Sequence, residues 1–349
     1  MRRFRPALLL PLVLPLTLLL AACSGTSSAD SSGGAGRTDG KGSLTLDIGD
    51  QKGGAEAVLR AAGELKDLPY RVKWSTFTSG PPMLEAINAG AVDLGPVGNT
   101  PPVFAAGAGS KITVVGAQHG SSEGEAILVP KDSPLKKTSD LRGRTVAVAQ
   151  GSSAHYQLIA SLKKAGLTLK DIKVTLLQPA DALAAFAGGK VDAWAVWDPY
   201  TSQVLRAGQG RVLTTGQGVV NGLQLFVAGN AALQDKAKSA ALGDLLDRLH
   251  RAQNWVHGHP EAWAKVWAKD TGLPYEAALD SVKRTQGTRV PVAVDKDVVE
   301  SEQAIADTFA EQGLIPRRFD FADYVDGRFN KDLPPSTSPA RGYGKATSR

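Results

Sequence analysis

Apolar and polar positions from residue 44 onward follow two rhythms. Short apolar runs such as "LTLDIGDQ", "KITVVGAQ", "TVAVAQ" and "GLQLFVA" predict strands, and the segments between several of them have the spacing of helices. Their alternation points to an α/β architecture. Residues 235–312 read mostly helical, with "LGDLLDRLHRAQNWV" and "PEAWAKVWAKDTG" as amphipathic segments whose Trp255, Trp263 and Trp267 are expected to pack a core.

The pattern occurs twice. "LTLDIGDQKGGAEAVL" is a strand, a polar glycine-containing loop and a helix, and "TVAVAQGSSAHYQLI" repeats that order about a hundred residues later. "LEAINAGAVDLGPVGNTPP" is matched by "LAAFAGGKVDAWAVWDPY": a helix, a glycine stop, a Val-Asp strand, then a capping residue followed by proline. Proline after Thr100 or Asp198 fits the first helical position, where its missing N–H costs nothing. The expectation is two β-α-β lobes joined by a hinge, with a ligand cleft between the carboxyl ends of their strands.

The ends read differently from the body. Residues 1–22 place Arg2, Arg3 and Arg5 before an apolar run broken by Pro11 and Pro15, too short to span a membrane and ordered like an export signal. "LAAC" resembles a lipoprotein cleavage site, so Cys23 is expected to carry a lipid. It is the only cysteine, which excludes an intrachain disulfide or a cysteine metal site. Residues 23–42, rich in Ser and Gly, read as a flexible tether reaching roughly 25 Å, and residues 335–349 as a disordered tail. The formal charge of +6 lies at these ends, with three basic residues and no acid in each. The neutral body has no footprint for nucleic acid.

Candidate chemistry lies in the loops. Ser79 in "TSGPPM", Thr100 in "VGNTPPVF" and Ser152 or Ser153 in "QGSSAHY" stand before helices, whose first turns expose N–H groups and attract anions. Pro81, Pro82, Pro101 and Pro102 remove donors from the first two loops, so the loop from Gly151 to His155 is the expected main cradle. Ser79, Thr100 and Asp198 read equally as simple caps. Trp197 and Trp194 point to opposite faces, leaving Trp197 to line the cleft. Ser153 and His155 as nucleophile and base are the enzyme alternative, but residues two apart lie on different faces of a first turn. His257 and His259 in "HGHPEAW" read as a turn before a helix rather than a metal site. No cofactor is implied.

These loops resemble those of the aliphatic-sulfonate-binding lipoproteins of ABC importers. The resemblance runs over residues 44–329 and is carried by "IGDQKGG", "SGPPMLEAINAGAVDLGPVGNTPPVFAAGAG", "EAILVPKDSPLKKTSDLRGRTVAVAQGSSAHY" and "PADALAAFAGGKVDAWAVWDPY". It implies a type II periplasmic-binding-protein fold, with residues 43–130 and 226–334 in one lobe and 131–225 in the other. It further implies an extracytoplasmic, lipid-anchored monomer that hands an aliphatic sulfonate to a membrane permease, without catalysis. The sulfonate head would meet Gln51, Ser79, Gly80, Thr100, Gly151, Ser152, Ser153 and His155, with Trp197 and Asp198 closing the other side and Gln118 and His119 nearby. Two positions depart from the family pattern: Asp50 stands where an aromatic residue is usual, and Asn99 where an acid is. Asp50 is therefore expected to meet a cation on the ligand or to shift the ligand range. Related taurine binders carry an acid on the strand that here reads "GLQLFVA", which argues against taurine. Asp50 nonetheless leaves taurine open, so taurine, nitrate, a sulfate ester or a nitrogenous precursor on the same scaffold, a hydrolase using Ser153, and a scaffold lipoprotein without a small ligand remain alternatives.

Overall fold

The computed structural model describes residues 44–337. The expected export signal, the Cys23 lipidation site, the tether and residues 338–349 lie outside the described residues. Among the described residues no helix is long and apolar enough to cross a membrane.

The chain begins with β1 (Thr45–Gln51), α1 (Ala55–Ala62), β2 (Arg71–Phe77), α2 (Gly80–Asn88), β3 (Leu94–Gly98), α3 (Pro101–Gly107) and β4 (Ile112–His119). It then crosses into β5 (Ala126–Pro130), β6 (Thr145–Val148), α4 (Ser153–Lys164), β7 (Lys173–Leu176), α5 (Pro179–Ala187), β8 (Ala193–Val196), α6 (Tyr200–Arg206) and β9 (Gly210–Thr215). It returns through β10 (Leu223–Gly229), α7 (Asn230–Gln234), α8 (Lys236–Gly258), α9 (Pro260–Thr271), α10 (Tyr275–Ser281), β11 (Val290–Val292) and α11 (Lys296–Glu311).

The sheets run β11-β4-β10-β3-β1-β2 and β7-β6-β8-β5-β9. They share one plan. The first strand of each repeat, β1 or β6, pairs in parallel with the second and the third. An antiparallel strand then separates the third from the fourth: β10 in one sheet, β5 in the other. That strand is supplied by the segment crossing between the lobes. The expected lobe boundaries at 130 and 225 are therefore displaced: β5 belongs wholly to the second sheet and β10 wholly to the first. The cause is non-local, since which sheet a short apolar run completes depends on partners distant in sequence.

Helices α1, α8 and α9 cover one face of the first sheet over a core containing Leu46, Ile48, Leu246, Trp263 and Trp267, while α2, α3 and α11 cover the other around Met83, Val97 and Phe309. Trp263 and Trp267 are buried as the helical pattern implies. Half-buried Trp255 stacks on His259, ring centroids 4.7 Å apart. The capping residues have direct physical roles. Asp235 accepts the amides of Ala237 and Lys238 at the start of α8, and Asp295 accepts the Val298 amide at the start of α11. Asp295 also binds the Ser336 hydroxyl and amide at 2.6 and 2.9 Å, so Ser336 is anchored to the body although the tail was expected to be disordered from residue 335.

Candidate functional site

The strand ends at Gln51, Phe77 and Gly98 in the first lobe meet those of β6 and β8 in the second around a cavity of about 330 Å³. This is the position at which open α/β sheets take ligands. Gln51, Gly80, Ser152, Ser153, Trp197 and Asp198, all expected at a site, line it.

Helix α4 enters the cleft with its amino end. Ser152 is its cap: the hydroxyl donates to Ala149 O at 2.7 Å and accepts the His155 amide at 3.3 Å. Gly151 N–H is directed to His155 Nδ1 at 3.3 Å, and Ser152 N–H to Ala149 O at 3.3 Å. The cradle is thus smaller than the sequence implied. Among the described residues, only the amides of Ser153 and Ala154 are without an acceptor in that loop, and Ser153 borders the cavity. Twelve residues of helix lie behind them, with Lys163 and Lys164 in the last turn, so the dipole favours a negative charge at this end.

His155 does not reach the cleft. Its ring lies 5.3 Å from that of Phe309 and 6.2 Å from that of Phe104, and burial pulls its pKa down to about 4. Gly151 itself faces Phe104, whose ring would stand 3.1 Å from a Cβ built there. Thr100 is fully buried and gives its hydroxyl to Asn99 Oδ1 at 2.8 Å. Ser79 occupies the cap position of α2 but does not cap it; its hydroxyl donates to Gln178 Oε1 across the cleft at 2.9 Å. Gln118 lies behind the main cavity in a chamber of about 40 Å³, together with Gln224, Gln286 and Arg289. His119 ends β4, paired with Leu223 and Val290, and does not border the cavity.

Asp50 differs from expectation. Its carboxylate turns into the start of α1 and accepts the amides of Gln51, Ala55 and Glu56 at 2.8, 2.9 and 2.7 Å. Burial raises its pKa to about 6 despite those three bonds. Where the sequence suggested a partner for a ligand cation, the carboxylate is engaged at the start of α1 and fills that helix's first donors. A Cβ at Gly54 would stand 2.0 Å from Asp50 Oδ1, which explains glycine there. Asn99 is also structural; its amide donates to Asn221 Oδ1 at 2.7 Å, and Asn221 in turn donates to Ser301 and Glu302 of α11.

Among the lining residues not anticipated for the site are Arg289, Glu125 and Trp267. Arg289 enters just before β11, with His257 Nε2 donating to its carbonyl at 2.6 Å. Burial lowers the Arg289 guanidinium to about 10, so it is charged at neutral pH. With exposed Lys52, Arg289 therefore brings a second cation to the cavity lining. Trp267 borders the cavity and donates its indole N–H to Gly53 O at 3.0 Å. His257 and His259 serve as backbone anchors, and among the described residues no cluster of metal-ligating side chains is found.

The lobes are tied across the cleft. Asp198, at a cis Asp198–Pro199 bond, pairs with Arg284 at 3.0 Å, accepts the Thr285 hydroxyl at 3.2 Å and caps the Ser202 amide at 3.0 Å. Pro199 therefore precedes α6 rather than starting it. A Cβ on Gly98 of the first lobe would come 2.9 Å from Ser153 Cβ of the second.

A family model described as the NMT1-like family matches residues 52–271. The chain belongs to this family. It is 36% identical over 283 residues to the aliphatic sulfonates-binding protein of Escherichia coli K12, covering 80% of this chain and 88% of that protein. Among solved structures it is similar to the alkanesulfonate-binding protein SsuA of Xanthomonas axonopodis pv. citri bound to MOPS, with TM-score 0.75 and 34% identity over 81% of this chain and 98% of that one. The periplasmic aliphatic sulphonate binding protein SsuA of Escherichia coli gives TM-score 0.70 and 34% identity over 80% and 97%. The fold is that of the periplasmic binding proteins, as the resemblance of the loop motifs implied. These relatives are binding proteins, and this family member is a binding protein, not an enzyme. Its Ser153 borders the cleft, while the His155 ring packs against Phe309 instead.

Proposed function

We propose that this protein captures an aliphatic sulfonate between its lobes, outside the cytoplasm, and delivers it to the permease of an ABC importer. In this reading Cys23 carries a lipid, residues 23–42 tether the body to the membrane, and the receptor acts as a monomer. The observation that carries the ligand assignment is the start of α4, where two amides are unfilled and Ser153 lines the cavity, together with Arg289 in the lining of that same cavity. A sulfonate spreads one negative charge over three oxygens, which suits several weak donors and one cation. Trp197, Trp267 and Phe77 supply apolar wall for a short carbon tail. Binding stabilises the closed arrangement through contacts that both lobes make at once.

A calorimetric titration of the purified protein with ethanesulfonate, nitrate, sulfate and taurine tests the assignment. The expected result is saturable binding of ethanesulfonate and weaker or no binding of nitrate. Binding of nitrate without ethanesulfonate would overturn the ligand class and leave the receptor fold standing.

A further inference from the structure

Glu125 lies where the chain first crosses from the first sheet to the second, and the reading above assigns it no task. Its backbone is held on both sides: the amide donates to Ser122 O at 3.2 Å, and the carbonyl accepts the Gly216 amide at 2.8 Å. Its side chain borders the cleft together with Ser153, at the same end of α4 that offers its amides. The second carboxyl oxygen, Oε2, is buried without a hydrogen-bond partner among the described residues.

The other charges around it are Arg289, Asp198, Arg284 and Lys52. Arg289 has no carboxylate within 4.0 Å among the described residues and faces the field of both Glu125 and Asp198. Asp198 is committed to Arg284 and Thr285. Lys52 lines the cavity with an exposed side chain and is bathed in solvent. His155, behind α4, is neutral because burial pulls its pKa to about 4, and Asp50 is turned into α1.

An anion at Ser153 therefore enters a cleft whose uncommitted interior charges are one guanidinium and one carboxyl. With Glu125 ionised, two negative groups face one positive group in a poorly solvated space. With Glu125 neutral, a monoanion and Arg289 balance. A sulfonate does not protonate in water near neutral pH, so the proton has to settle on the carboxyl.

We propose that Glu125 sets the charge specificity of the cleft: the site accepts a monoanion together with one proton from solvent on Glu125, and disfavours a dianion. This rests on the sulfonate reading above. Burial pushes the Glu125 carboxyl up to about 7, so the proton is within reach at neutral pH. The neutral acid can donate its O–H to a ligand oxygen, and Oε2 no longer leaves a buried negative charge unpaired.

The test is isothermal titration of the full-length chain with ethanesulfonate and with inorganic sulfate at about pH 6 and about pH 8, each in two buffers of different ionisation enthalpy. Ethanesulfonate should bind about tenfold more weakly at the higher pH, with uptake there of nearly one proton per ligand. Sulfate should bind more weakly than ethanesulfonate at both. In Glu125→Gln the proton uptake and the pH dependence should vanish, whatever its absolute Kd; should that variant not fold, the proton count and sulfate comparison of the unmodified chain decide. Equal Kd at both pH values without proton uptake, uptake that persists in Glu125→Gln, or sulfate bound as tightly as ethanesulfonate overturns the assignment of Glu125 and leaves the sulfonate reading intact. No binding of ethanesulfonate at either pH overturns both.

Discussion

Arg289 and His155 exchange the roles that their surroundings in sequence suggest. His155 stands in the most loop-like motif of the chain, yet it packs between Phe104 and Phe309; Arg289 stands in "QGTRVPV" with no recognisable motif, yet it reaches the cleft. Gln51, Ser152, Ser153 and Trp197 were legible because each ends or closely follows a strand. Arg289, Glu125 and Trp267 were not, because they arrive from a crossing segment and from helical segments whose approach is set by tertiary packing. Replacing Arg289 by Gln removes a charge-assisted donor and is expected to weaken ethanesulfonate binding by roughly ten- to a hundredfold, read by titration calorimetry. His155 gives a pH prediction for the fold. Its folded pKa lies near 4, below the ordinary 6.5, so the unfolded chain binds the extra proton between those values. Stability is expected to fall as pH drops through that window, by on the order of 2–3 kcal/mol from this group. His155→Asn, which keeps an acceptor for Gly151 N–H but does not titrate, should flatten that acid limb in thermal denaturation.

At the scale of elements, the repeat of strand, loop and helix correctly announced two sheets of one plan. It did not show that β5 and β10 change sides, because a single apolar run carries no label for its partners. Nor did it show how the helix starts near the cleft differ in use. Asp50 fills the donors of α1, prolines remove those of α2 and α3, and α4 keeps two. The α4 entrance depends on Gly151, which has φ 68° and presses on Phe104. Gly151→Ala is expected to destabilise the protein by about 1–3 kcal/mol through backbone strain and contact, seen as a lower Tm. Gly98→Val acts between elements: it pushes directly against Ser153 across the cleft. It should reduce ligand affinity more than it reduces Tm, a split that calorimetry and thermal denaturation read separately.

At the scale of the whole molecule, the lobes meet through a small set of polar ties around the cavity. Asp198 is nearly fully buried and its charge is matched by Arg284, so removing the arginine leaves an uncompensated carboxylate. Arg284→Ala is expected to favour separation of the lobes, increasing the radius of gyration by X-ray scattering and weakening ligand binding. An unchanged scattering curve and an unchanged Kd would show that the tie does not govern closure. The two-lobed architecture was readable from the repeat; this tie was not, since Asp198 and Arg284 lie 86 residues apart and meet only once both lobes have formed.

The central claim is that a sulfonate head rests against the start of α4 and Arg289, between the lobes. A crystal structure of the protein with ethanesulfonate tests it most directly. The account predicts sulfonate oxygens within hydrogen-bond reach of the Ser153 and Ala154 amides and the Arg289 guanidinium, with the carbon tail toward Trp197 and Trp267. A sulfonate bound elsewhere, with those amides and that guanidinium making no contact to it, would contradict it.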